Sequence, residues 1–431
     1  MFTITTSHQL SEPFTALGEY IRDRYRTCNY NQADLPVVAA EALAQFDSEF
    51  TFDAASIGAF FSTTPIRQQP QLPFSNLPIT VFRHRDFYIE ILVWTNSTTS
   101  VHQHSFSGAF RVLQGSSLHT KFAFKSQKMV NQDCILGLLE PQHTEYLHTG
   151  SVRQIHPGPE GLIHSLYHLE NPSLTLVVRS HGHAMYEPQY SYHRPYLAFD
   201  PFKLEKDEQV IMTAKLLQVA SQIDRPSMVQ IWLEQIAQFD FSRLAWLFLN
   251  YKDYLEEAEQ QHFFDHARQN HNTLVDSLEK VAQYQTTLHH ISHSRTVLTD
   301  PDLRYFLALL MNAKDRAALL DMVKVRYPDE DPLECCARWL AKLSEGKTDT
   351  ALRLTQIVQQ ANLGALHLGR KLGVALPPKV ANKQAEALFL SFIRDGNQVS
   401  DVAAHFPDIA AIDLQKFFDH LGNLEELGCL R

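Results

Sequence analysis

Between Ile79 and Arg179 the chain is cut into short runs rich in β-branched and aromatic residues: "FYIEILVW", "AFRVLQG", "SLHTKFAF", "GLIHSLYHL" and "SLTLVVRS". Turn-forming stretches separate them, among them "TNSTTS", "QGSS", "HPGPEG" and "ENPS". Runs this short are strand-length, and their close, regular spacing predicts a β-sandwich or a small barrel. No fixed-period repeat accompanies them.

The pattern changes near residue 200. After "AFDPFKLEKDEQ", apolar residues recur every three or four positions in "VIMTAKLLQVASQI", "MVQIWLEQIAQF", "LRYFLALLMNA" and "AALLDMVKVRY", the period of a helix with one apolar face. Pro and Asp in "RPSMVQ", "TDPDLR" and "PDEDPLE" mark helix starts. The expected class is α+β, in three parts: a helical segment and connector over 1–78, a β-barrel over 79–200, and an all-α part over 201–431. The end of the last part, 382–431, faintly resembles the helical portion of a winged-helix module, here expected to contact protein rather than DNA.

Composition narrows the function. A formal charge of -10 disfavours a surface that tracks phosphates, so nucleic acid is not an expected partner. No apolar run approaches the roughly 18 residues needed to span a bilayer, and the N-terminal residues lack a signal-peptide pattern, so a cytoplasmic location is expected. The cysteines (Cys28, Cys134, Cys335, Cys336 and Cys429) form no CxxC pair and are expected as reduced thiols. No glycine-rich phosphate loop and no GxSxG elbow are present. Histidine is abundant, at 22 residues, and many of them lie between His84 and His193.

In "SVHQHSFSGAF", His102 and His104 are two residues apart. On an extended strand they share a face, so both imidazoles can reach one metal ion. Some 60 residues later "HPGPEGLIHSLYHLENPS" places Pro159, Gly161 and His164 as P-x-G-x-x-H, a turn feeding a histidine into a strand. These two stretches, with Gly115 between them, resemble the two motifs of the cupin superfamily, whose fold is a jelly-roll β-barrel. The resemblance implies a metal held by His102, His104 and His164. Where many cupins add a glutamate shortly after the second histidine, this chain has Gly108 and Ala109, and His168 takes the place of the usual motif-two asparagine. His168 is therefore an alternative ligand or a group that orients one.

Within cupins, residues 79–180 are similar to cysteine dioxygenase and related iron-dependent thiol dioxygenases, on the run "FYIEILVWTNSTTSVHQHSFSGAFRVLQGSS" and on "HSLYHLEN" followed by "LTLVVRS". That likeness implies Fe(II) as the metal, with Zn, Ni or Cu also compatible with imidazole ligands. It implies a small anionic substrate with dioxygen as co-substrate, Leu92 and Trp94 facing them, and Arg83 or Arg85 clamping a carboxylate. By strand parity Glu90 faces the same interior. The family's Ser, His, Tyr series on the last strand is replaced by Thr175, Val177 and Arg179, which removes the basis for assigning cysteine itself as substrate. Arg179 aims a guanidinium at the cavity, toward either a substrate anion or Glu90. A non-catalytic cupin that senses a metal or ligand and signals through the helical part is the competing expectation, and a homodimer is left open. His262 and His266 on a helix, the second HxH at His181 and His183, and His289 lack partner motifs and are expected at the surface or on the rim.

Overall fold

The computed structural model describes residues 8–46, 55, 57–58, 62, 75–95, 99–158, 161–182 and 187–345. Contacts divide the chain into two units, one formed by 1–116, 121–140 and 147–285, the other by 117–120, 141–146 and 286–431.

The first unit opens with two helices, α1 (His8–Thr27) and α2 (Leu35–Gln45). The strands follow as β1 (Leu77–Arg83), β2 (Phe87–Trp94), β3 (Val101–His102), β4 (Gly108–Gln114), β5 (Ser117–Asn131), β6 (Cys134–Leu147), β7 (Val152–Ile155), β8 (His164–His168), β9 (Ser173–Ser180), β10 (Ser191–His193) and β11 (Leu197–Phe199). Two sheets result. One has the order β1-β2-β9-β4-β7, and the other closes as a barrel in the order β10-β11-β6-β5-β8-β3. With the helices that follow, this is the α+β class expected, a jelly-roll-like barrel joined to helical structure.

Strand parity decides what each residue of the five-stranded sheet does, because successive side chains point to opposite faces. On β2, Phe87, Ile89, Ile91 and Val93 join Leu174, Leu176 and Val178 of β9 and Ala109 and Leu113 of β4 in one core with Phe14, Leu17, Ile21, Val38 and Leu43 of α1 and α2. The alternate residues face inward, where Leu92, Trp94, Phe110, Val112 and Val177 form a second apolar cluster with Phe106 and Leu166. Both faces are covered, so all eight residues of β2 are buried. Arg111 fixes the helical layer to the sheet: its guanidinium donates to the carbonyls of Leu43 and Phe46, which the C-terminal end of α2 leaves without helical partners.

After the barrel come α3 (Pro201–Leu204), α4 (Glu208–Ile223), α5 (Arg225–Gln238), α6 (Phe241–Tyr251), α7 (Glu257–His271) and α8 (Leu274–Val297). Aspartates start several of them: Asp200, Asp207, Asp224 and Asp240 each accept a backbone N–H from the first turn that follows. Their apolar faces converge on Trp232, Phe248 and Phe263, and that core includes Cys134, Leu197 and Phe199 from β6 and β11. The helices up to Gln285 therefore share a hydrophobic core with the barrel.

The second unit includes α9 (Pro301–Asn312), α10 (Arg316–Arg326) and α11 (Pro332–Glu345). Asp300 and Asp315 cap α9 and α10, and Phe306 and Trp339 are buried together with ring centroids 5.6 Å apart. A buried His119 Nδ1 lies 2.8 Å from Glu145 Oε1. Cys28, Cys134, Cys335 and Cys336 are all free thiols, as expected, while Cys429 and the winged-helix-like 382–431 lie outside the described residues. Among the described residues, no helix is long and apolar enough to cross a membrane.

Candidate metal centre

His102 ends β3 and is the direct antiparallel partner of His164 at the start of β8. Side chains on directly opposed residues stand about 5 Å apart at Cβ, so the pairing alone brings two imidazoles from distant parts of the sequence together. His104 lies two residues further on, and all three are buried. One ring nitrogen of each lies within 4.8 Å of the others.

Two details fit these rings to a divalent metal. His104 Nε2 and His164 Nε2 are 2.9 Å apart, which is about the separation of two ligands at right angles on an ion with bonds of about 2.0–2.1 Å. His102 Nδ1 is 2.8 Å from the carbonyl of Ser100, so Nδ1 carries the proton and Nε2 keeps its lone pair for a ligand bond. The second motif is tied to the first through the backbone, since Gly158 N donates to His104 O at 2.9 Å. Gly161 closes that turn. A Cβ there would lie 2.2 Å from the carbonyl of His156, so only glycine fits. Pro159 lies outside the described residues.

The missing carboxylate has a structural cause. Gly108 is opposite Arg179 on β9, and a Cβ at Gly108 would sit 2.0 Å from the Val178 carbonyl. No side chain fits there, and Ala109 faces the helical layer instead. The three imidazoles are the whole cluster of potential ligands found here among the described residues. His168 is not part of it. Its buried ring stacks on Trp94, with centroids 4.6 Å apart and planes 19° apart, while Trp94 Nε1 donates to Thr175 Oγ1 at 3.0 Å.

Arg179 and Glu90 meet on the inward face of the five-stranded sheet, as parity requires. Arg179 Nη1 is 3.6 Å from Glu90 Oε2, and the two side chains are 14% and 2% exposed. The guanidinium carbon lies 3.7 Å from the centre of the Phe106 ring and 5.3 Å from that of Tyr88. Burial pushes the Glu90 carboxyl up from its ordinary pKa, against the downward pull of Arg179 and Arg83. Among the described residues, Glu90 Oε1 and Arg179 Nε have no hydrogen-bond partner. The pair is therefore incompletely satisfied and retains capacity for another polar group.

Two cavities meet the histidines. The inner one, about 30 Å³, is lined by all three together with Leu92, Trp94, Thr175 and Arg179. The outer one, about 410 Å³, is lined by His102, His104 and Arg179 and by Gln189, Asp200, Phe202, Lys203 and Lys206. Arg83 and Arg85 are exposed and line neither cavity; Arg85 Nε donates to Asp86 Oδ2 at 3.0 Å. The sequence reading missed Phe106 and Phe110, although each shares parity with a residue it named. It also missed the outer rim, whose residues belong to the chain that follows β9 and bear no spacing relation to the histidines. His181 and His262 are exposed and His266 is half-buried, while His183 and the side chain of His289 lie outside the described residues.

No family model matches the sequence. No curated protein matches it either. Among solved structures, the crystal structure of the DMSP lyase DddQ from Ruegeria pomeroyi DSS-3 is similar over 36% of this chain and 75% of that one, at 15% identity and a TM-score of 0.20. A likeness at that level carries no argument about fold or site. The architecture rests on the strand order, and the centre on its three converging imidazoles.

Proposed function

We propose that this protein is a mononuclear iron oxygenase acting on a small anionic substrate, with His102, His104 and His164 holding the metal. The observation that carries the reading is the shared cavity: the three imidazoles and the half-buried Arg179 line the same chamber. Bound there, Fe(II) would supply open coordination positions and one-electron redox chemistry, which no side chain of this set provides.

The protein's own groups do the rest. Arg179, fixed over Phe106 and held by Glu90, presents a charge to a substrate carboxylate or sulfonate; its planar fork binds such groups through paired N–H donors. Leu92, Phe106, Phe110 and Val177 give the chamber apolar walls that limit water near the reacting groups. Thr175 accepts the indole N–H of Trp94, and the indole in turn stacks on His168, so the far wall is held by side chains rather than by solvent. The Ser100 carbonyl keeps His102 in the tautomer a ligand needs.

Anaerobic reconstitution with Fe(II), followed by an oxygen-electrode screen of thiols and small organic acids, tests this reading. The expected result is one iron per chain and substrate-dependent oxygen uptake that is lost in Arg179→Met. Iron binding with no oxygen uptake for any compound would favour a sensor, and uptake independent of Arg179 would remove it as the anion anchor.

A further inference from the structure

Helix α4 has two apolar faces. Val210, Ala214, Leu217 and Ala220 are buried in the core shared with α5 and α6. On the opposite side Met212, Leu216, Val219 and Ile223 are 62%, 50%, 52% and 78% exposed. These four make up half of the large apolar side chains that stay exposed among the described residues. Single apolar residues on a surface need no explanation, but a continuous row does. The row spans about 16 Å at 1.5 Å per residue, and its steps of four, three and four residues are those of a coiled-coil seam.

The seam is also its own mirror in sequence. Reversing the helix about the point between Leu217 and Gln218 exchanges Met212 with Ile223 and Leu216 with Val219. Two copies packed antiparallel about a two-fold axis through that point set apolar against apolar along the whole row. An interface of this symmetry must be self-complementary, because the same patch appears on both sides. The flanks allow it. Between Gln209 and Ile223 the only charged residue is Lys215, and the reversal sets its two copies about 7.5 Å apart along the axis, so no like charges stand directly opposite each other. In a chain of formal charge -10, a strip with so few charges lets two copies meet with little repulsion.

We propose that this face of α4 is a homodimer interface, with α4 packed antiparallel against the same helix of a second copy. Light scattering on the full chain at micromolar concentration then gives twice the chain mass. Leu216→Glu gives the single-chain mass, at least a 100-fold weaker association, with an unchanged circular dichroism spectrum. The antiparallel register has its own readout. Mixed Met212→Cys and Ile223→Cys chains oxidise to a 212–223 link, identified by peptide mass spectrometry. Met212→Cys alone gives none, because its two copies lie about 16 Å apart along the axis. A monomer up to about 100 μM, a dimer indifferent to Leu216→Glu, or a 212–212 link overturns the proposal. A monomer in which Leu216→Cys resists a thiol reagent overturns it too, and assigns the cover to this chain itself.

Discussion

At the scale of single residues, His164 and His168 are four apart on one strand, both buried, yet only His164 brings a nitrogen into the cluster. Elemental analysis after reconstitution should find His164→Ala without metal, its affinity reduced by at least about 100-fold, and His168→Ala with nearly one ion per chain. Restoring a glutamate at Gly108 should not add a ligand, because even a Cβ there meets the Val178 carbonyl. Overpacking of this kind costs about 3 kcal/mol, readable as a lowered melting temperature in Gly108→Glu and already in Gly108→Ala. Arg179→Met leaves the 2%-exposed Glu90 carboxylate without its cation and should destabilise the fold by about 3 kcal/mol. The sign of its pH dependence follows from the Glu90 carboxyl, which burial pushes up. An acid whose folded pKa is raised stabilises below its unfolded pKa and loses that contribution as pH rises through the folded value. Removing Arg179 raises that value further, so the deficit of the variant should grow as pH increases, and Glu90→Gln in the same chain should flatten it. Chemical denaturation at several pH values checks both.

At the scale of elements, the strands were legible because their apolar runs are short and their breaks are rich in Gly, Pro, Asn and Ser, and the helices because their starts carry aspartate. The HxH pair was legible because period two is a property of any strand, and Glu90 and Arg179 were placed inside by the same rule. What was not legible depends on which residues tertiary structure sets side by side. Nothing in "SFSGAF" says that a carbonyl of β9 fills the space a glutamate would need, or that Phe106 provides the surface on which Arg179 lies. Arg83 and Arg85, the candidate arginines before β2, are exposed and line neither cavity, a placement that depends on how β1 and β2 are joined rather than on residue type. On β10, His193 stacks on Phe199 and takes a hydrogen bond from Gln285 at 2.9 Å, and burial lowers its pKa to about 4. A histidine titrating at about 6.5 when unfolded and at about 4 when folded contributes stability above pH 6.5 and loses it as pH falls toward 4. Thermal unfolding of wild type and His193→Gln across that window should show the variant less sensitive to acid.

At the scale of the whole molecule, a bound ion would join β3 to β8, two strands that contribute a single direct partner pair, His102 with His164. A ligand that binds only the folded chain stabilises it by about 2.7 kcal/mol at 100 times its dissociation constant. Fe(II) or Zn(II) titration should therefore raise the melting temperature in a concentration-dependent way, and a chelator should reverse the gain. The same titration of His104→Ala should leave the melting temperature flat.

Strand β9 writes two messages on alternating letters. Leu174, Leu176 and Val178 speak to the helical layer, and Thr175, Val177 and Arg179 to the chamber. Chemistry and scaffold can thus be revised separately within one eight-residue stretch, one set of substitutions changing what the chamber admits and the other how firmly the wall behind it holds. A single inserted residue would turn the strand inside out and exchange the two vocabularies, setting a guanidinium against the helices and a leucine before the three histidines.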